Sequence, residues 1–170
     1  KLVKKEIDCR LILLGNMASD DPEGITIFEE VKEMADQQFD DEEVMLLTVE
    51  NDLLVNALQR QADVIIQKSK REGFGLTVTE ALWKGRPVVA SHVGGIPLQI
   101  SDGVNGFLFD PEDYKGFAKK TVQLLENNAY AQKIGSAGKE YVKNNFLITR
   151  LLSDYLNLIS SFWNGFKHPF

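Results

Sequence analysis

The chain has 170 residues, of which 44% are hydrophobic and 26% charged, and a formal net charge of −6 at pH 7. This is the composition of an ordinary globular protein, long enough for one domain to bury about 70% of its unfolded surface. The acidic balance argues against general nucleic-acid affinity, and no apolar run approaches the about 20 residues that span a bilayer. No signal-peptide pattern opens the sequence, and its single cysteine, Cys9, rules out an internal disulfide. A reducing, cytoplasmic setting is therefore expected.

In chain order, short apolar runs alternate with helical stretches. Strands are predicted at Cys9 to Leu14, Val44 to Val49, Val64 to Gln67, Pro87 to Ala90 and Phe107 to Phe109. They are almost unbroken by charge, as expected of parallel strands covered on both faces, and Cys9 is expected to start a buried strand as a core residue. Helices are predicted at Gly24 to Ala35, Asp52 to Gln61 and Leu76 to Lys84, with a short turn at Pro97 to Ile100. Asn51-Asp52 reads as a helix cap, and Ser101 to Gly106 as the turn before a last short strand. Alternation of this kind predicts an α/β fold with a doubly wound parallel sheet.

Beyond Asp110-Pro111, read as a cap followed by a first-turn proline, the chain is predicted to be helical to about Trp163. Residues 1–170 are read as one domain, with the core over about 1–110 and extra helices over 111–170. Leu151, Leu152, Tyr155, Ile159, Phe162 and Trp163 follow the spacing of one helix face. By pattern alone that face packs on its own domain. The aromatic cluster Phe162, Trp163, Phe166 and Phe170 could instead form an exposed docking surface.

The chemistry concentrates at Glu72-Gly73-Phe74-Gly75-Leu76-Thr77-Val78-Thr79-Glu80, between two predicted strands. Glycines let a backbone approach a ligand closely, and the first free amides of a helix suit a phosphate, so Gly73, Phe74, Gly75, Leu76 and Thr77 form a candidate anion cradle. Glu72 lies in the loop before the helix and Glu80 about two turns into the helix. A hydroxyl-rich ligand with a phosphate in its middle would fit between the two acids. Lys68, Lys70 and Arg71 are nearby cations or a solvated loop. No Asp-x-Asp is placed for a divalent ion; Asp20-Asp21 and Asp40-Asp41 read as capping or loop residues. His92 follows a strand end, where it could act as a base, and Gly94-Gly95 either brings amides toward a ligand or makes a turn. Trp83 and Tyr114 read as packing residues rather than platforms for a base.

Glu72 to Glu80, followed by Ala81-Leu82-x-x-Gly85-x-Pro87-Val88-Val89-Ala90 and Gly94-Gly95-Ile96-Pro97, resembles the donor-binding half of retaining GT-B glycosyltransferases, specifically glycosyltransferase family four. The wording of Glu72 to Gln99 is similar to its trehalose-forming synthases. The resemblance implies a Rossmann-like C-terminal domain that binds ADP- or UDP-glucose as substrate and passes glucose to a sugar acceptor. It implies Glu72 at the reacting carbon, Glu80 on the ribose hydroxyls, and Thr48 and Val49 as candidate nucleobase contacts. No metal and no cofactor are implied. Family members also carry an earlier strand and helix with a diphosphate-binding arginine and lysine, and an N-terminal acceptor domain. The sequence is accordingly expected to be a fragment, inactive alone, that partners with such a domain and could form a homo-oligomer. Alternatives are a trehalose phosphorylase, another family-four sugar transferase, or a non-catalytic nucleotide-binding module.

Overall fold

The computed structural model describes residues 1–15, 22–40 and 43–166. They form two compact units, Lys1–Gln61 and Ala62–Phe170, and the helical part expected after 110 lies within the second.

The first unit contains β1 (Leu11–Gly15), α1 (Pro22–Gln38), β2 (Val44–Thr48) and α2 (Asp52–Gln61). β1 and β2 pair in parallel with Leu11 opposite Val44 and Gly15 opposite Thr48. Asn51 caps α2 as expected, its Oδ1 accepting from the Leu54 amide at 3.0 Å. Two expectations fail here. Cys9 precedes β1 and is only half-buried, and Leu11, Ile12 and Leu13 are about two-fifths exposed rather than covered on both faces. A ladder of two strands has little area to bury, and among the described residues of this unit only Ala35 and Gln59 are buried.

The second unit contains β3 (Ile65–Gln67), α3 (Leu76–Trp83), β4 (Val88–Ser91), a 3₁₀ turn (Ile96–Leu98), β5 (Phe107–Phe109), α4 (Tyr114–Glu126), α5 (Asn128–Asn145) and α6 (Ile148–Phe166). Its sheet is parallel in the order β3-β4-β5, with Ile66 opposite Val89 and Val89 opposite Phe107. Successive side chains of a strand point to opposite faces, and β4 shows the consequence. Val88 and Ala90 join Val78, Ala81 and Leu82 of α3, Ile96, Ile100 and Val142 of α5 in one apolar cluster. Val89 joins Phe107, Phe117 of α4, and Ala131 and Ile134 of α5 in the other. The three-stranded sheet is thus covered on both faces, the doubly wound arrangement expected.

Two glycines make that covering possible. A Cβ on Gly135 would stand 2.0 Å from the Gly85 carbonyl oxygen, and one on Gly138 would stand 2.6 Å from Leu82 Cδ2. α5 can therefore approach α3 only with glycine at those points.

Asp110-Pro111 differs from expectation. The cap of α4 is Asp113, whose Oδ1 accepts from the Gly116 amide at 2.8 Å. Asp110 instead closes a turn, its carboxylate accepting from Glu112 N at 2.8 Å and its carbonyl from Asp113 N at 2.9 Å. A proline after an aspartate suits that turn as well as it suits a helix start. The 3₁₀ turn also begins one residue before its expected start and ends at Leu98.

α6 does not pack its apolar face on its own unit. Ile148, Leu151, Leu152, Tyr155, Ile159, Phe162 and Trp163 are all at least half exposed. The side chains of Phe166 and Phe170, and residues Asp20, Asp21, Asp41 and His168, lie outside what is described. No helix among the described residues is long and apolar enough to cross a membrane.

Candidate functional site

The site is built from the loop between β3 and α3 and the loop after β4, both at the carboxyl ends of strands, where ligands of open α/β sheets bind. Gly75 is the residue before α3, buried and left-handed at φ 83°, and no side chain caps the helix. Among the described residues no acceptor takes the amides of Gly75, Leu76 or Thr77. Uncapped amides at a helix start are the donors that an anion needs. Of the amides expected to form the cradle, that of Gly73 is instead taken by Glu72 Oε1 at 3.0 Å.

The loop is held from below. Its Phe74 ring packs edge-on against Phe146 at 5.6 Å. Gly95 N donates to Gly73 O at 2.7 Å. A Cβ on Gly94 would lie 1.6 Å from Glu72 O, and one on Gly95 would lie 2.6 Å from Gly73 O. Of the two readings left open for this pair, the structure supplies a reason for the turn: these glycines let one loop's backbone lie directly on the other's. Gly94 adds φ 54°, a conformation that side chains resist. A side chain on Gly75 would meet Glu72 Cγ and Ile96 Cγ1, each at 3.3 Å, rather than project freely toward a ligand.

Glu72 is half-buried and faces a small polar set that the sequence did not announce. Its Oε2 accepts long hydrogen bonds from Gln67 Nε2 at 3.4 Å and Ser69 Oγ at 3.5 Å, while Gln67 Nε2 also donates to Ser69 Oγ at 2.9 Å. The carboxylate's remaining oxygen accepts from the Gly73 amide at 3.0 Å. A carboxylate has several acceptor sites, and these contacts do not use all of them. Glu80 is exposed on α3. Missed as well was Gln99, fully buried, whose Oε1 accepts from Thr79 Oγ1 at 2.6 Å and whose Nε2 donates to the Phe74 carbonyl. Only a polar residue within an apolar stretch, Leu98-Gln99-Ile100, could have signalled it.

The neighbouring basic residues are partly engaged. Lys68 Nζ lies 4.2 Å from the centre of the Tyr114 ring, and Lys70 Nζ stands 3.6 Å from Glu112 Oε1 with both side chains exposed. Tyr114 OH donates to Glu112 at 2.6 Å, which lowers the Glu112 carboxyl below its ordinary range and raises the Tyr114 phenol. Trp83 is exposed with Lys139 Nζ 5.8 Å from its ring centre. His92 is exposed, its amide donating to Phe109 O at 2.7 Å, and its ring has no assigned role. Thr48 ends β2 and Val49 follows it, both exposed on the other compact unit. Arg71 is exposed.

Residues 1–141 match the family of Glycosyl transferases group 1. The chain belongs to that family. It is 48% identical over 162 residues to the trehalose synthase of Thermococcus litoralis, covering 95% of this chain and 39% of the relative. A trehalose phosphorylase of Pleurotus pulmonarius is 31% identical over 139 residues, covering 79% of this chain and 19% of the relative. Among solved structures, Anabaena HepE in complex with UDP-glucose superposes with a TM-score of 0.77 at 24% identity, over 89% of this chain and 41% of HepE. The fold is that of GT-B glycosyltransferases, and the chain spans the C-terminal part of the trehalose synthase, about 39% of its length. As a group 1 glycosyl transferase domain, it carries its uncapped helix start and both glutamates within the matched residues.

Proposed function

We propose that this chain is the nucleotide-sugar-binding half of a retaining, metal-independent glucosyltransferase that moves glucose from ADP- or UDP-glucose onto glucose, forming trehalose. The observation that carries the reading is the uncapped start of α3, three amides without protein acceptors beside Glu72, in a chain 48% identical to a trehalose synthase. Breaking the bond between glucosyl carbon and diphosphate leaves a cationic sugar and a departing anion. Gly75, Leu76 and Thr77 would donate to that anion through the backbone. Glu72 would accept from sugar hydroxyls beside the reacting carbon, and Glu80 from the ribose hydroxyls. The departing phosphate would take the acceptor's proton on the same face, and the acceptor's own contacts would come from an N-terminal domain. The trehalose phosphorylase likeness supports a second reading in which phosphate replaces the nucleotide as leaving group.

Titration calorimetry of the full-length protein with UDP, ADP, their glucose conjugates and inorganic phosphate separates these readings. Tight binding of a nucleoside diphosphate, and glucosyl transfer from its glucose conjugate, is the expected result. Glu80→Ala should weaken free nucleotide about tenfold, the loss of one or two hydrogen bonds, whereas Glu72→Ala should chiefly depress kcat. Unchanged nucleotide affinity in Glu80→Ala would refute the ribose role, and binding of phosphate alone would favour the phosphorylase.

A further inference from the structure

We propose that Gln99 is a positioning residue that aims the phosphate-binding amides of the turn before α3, an assignment that rests on the nucleotide-sugar reading above. Its side-chain amide spends every polar atom on that turn and its helix. Nε2 donates to the carbonyl oxygens of Phe74 and of Gly75, the latter at 3.4 Å, and Oε1 accepts the Thr79 hydroxyl at 2.6 Å. The Thr79 bond selects which end of the amide faces the loop, because a hydroxyl that donates to Oε1 leaves the NH₂ for the carbonyls.

The consequence follows from peptide geometry. In a planar trans peptide the C=O and the next N–H point in opposite directions. Drawing the Phe74 carbonyl toward the buried Gln99 turns the Gly75 amide away from it. The Gly75 carbonyl is held chiefly by α3 itself, accepting the Val78 amide at 2.9 Å, and the longer Gln99 contact at 3.4 Å adds to the orientation that leaves the Leu76 amide on the opposite side. Both amides are among those of this turn that have no acceptor among the described residues. Gly75 can hold the required turn because its φ of 83° is open to glycine.

Gln99 is itself fixed. It is fully buried, its backbone amide donates to Ile96 O at 2.9 Å, and its carbonyl accepts Asn105 Nδ2 at 3.0 Å. Asn105, also buried, accepts the Ser101 amide on Oδ1 at 2.7 Å. The chain of contacts therefore runs from the turn before β5, through Gln99, to the peptide planes at the candidate phosphate site. A buried glutamine used only for packing would be an expensive choice beside Ile96 and Ile100, since its amide must be satisfied.

The test uses the full-length protein and three variants. Gln99→Met keeps the volume and removes both hydrogen-bond ends; Gln99→Glu keeps the acceptor and puts a carboxylate against two carbonyls; Thr79→Val removes only the bond that sets the amide's orientation. Thermal melting establishes that each is folded, and calorimetry measures UDP or ADP against the matching nucleoside without phosphate. In folded protein, Gln99→Met and Gln99→Glu should lose about tenfold or more in nucleoside diphosphate affinity, with the nucleoside unchanged and Thr79→Val intermediate. Equal affinity of parent and both Gln99 variants for the diphosphate would overturn the proposal. So would an equal loss for diphosphate and nucleoside, which marks a general disturbance. A parent that binds neither UDP nor ADP would instead refute the nucleotide reading itself, and the proposal with it.

Discussion

The two compact units are written in the same grammar of parallel strand, helix and parallel strand, yet they bury their residues very differently. Leu11, Ile12 and Leu13 of β1 are about two-fifths exposed, while Val88, Val89 and Ala90 of β4 are fully buried. The runs look alike in sequence. What separates them is how many neighbours each strand has: β4 is central, paired on both sides and covered by α3 on one face and α4 on the other, whereas β1 has one described partner. An open cavity of about 270 Å³, lined by Leu13, Leu14, Phe28 and Leu47 among others, lies within the first unit. The candidate cradle sits wholly on the denser unit, and a site that must hold amides at fixed angles belongs on rigid elements.

Glycine substitutions should divide the units most sharply. Gly94→Ala places a methyl where Glu72 O already stands, at 1.6 Å, with φ 54° adding strain. The loop must move or unfold, at a cost above about 3 kcal/mol, and nucleoside diphosphate binding should be lost. Gly15→Ala meets nothing within 4 Å and lies at no positive φ, so stability should stay within about 0.5 kcal/mol of the parent. Denaturation curves of both variants with a UDP titration check this. A Gly94→Ala protein as stable and as competent as the parent would mean the two loops do not touch as described.

Core truncation should come next. Leu82 is fully buried between α3 and α5, and Leu82→Ala should cost about 3 to 5 kcal/mol through lost burial and a residual cavity. Leu13→Ala, 40% exposed beside an open cavity, should cost about 1 kcal/mol or less. Hydrogen exchange on the same proteins should show the amides of β4 slowest in the parent and most accelerated in Leu82→Ala. Comparable losses for the two leucines would contradict the difference in burial.

Much of this arrangement was legible. The alternation of apolar runs with helical spacing marked all five described strands, although only β4 is buried along its whole length. The uncapped turn before α3 was legible because Gly73 and Gly75 stand between a strand and a helix start. The cap of α4 was not: Asp110 and Asp113 are equal candidates chemically, and only the fold decides that Asp110 makes the turn. Nor was Gln99, since its partners Thr79 and Phe74 lie 20 and 25 residues away in sequence. Exposure of the α6 face was legible only as an alternative, at its aromatic end. Periodicity states which residues share a face and says nothing about what meets it.

The smallest expected effect lies in the first unit, where electrostatics does work that burial does in the second. Lys4 Nζ stands 2.5 Å from Asp8 Oδ1 and 2.9 Å from Glu43 Oε1. The Lys4 ammonium holds the Asp8 carboxyl below its ordinary range. It does the same to Glu43, aided by a hydrogen bond from the Asp40 amide, while the two acids raise Lys4 itself. Depressed carboxyls stabilise the fold above their unfolded range near about pH 4, and that contribution is lost as pH falls through the lower folded values. A raised lysine stabilises below about pH 10.4 and loses its contribution as pH climbs past that. Lys4→Met should therefore lower the first unit's stability slightly over a plateau from about pH 5 to pH 10, with the gap closing at both ends and shrinking in high salt. The same substitution should leave exchange in β4 untouched. Denaturation midpoints of parent and variant at acid, neutral and alkaline pH decide it: a gap that persists at acid pH would come from lost packing of the lysine stem, and the ion cluster would then hold nothing together.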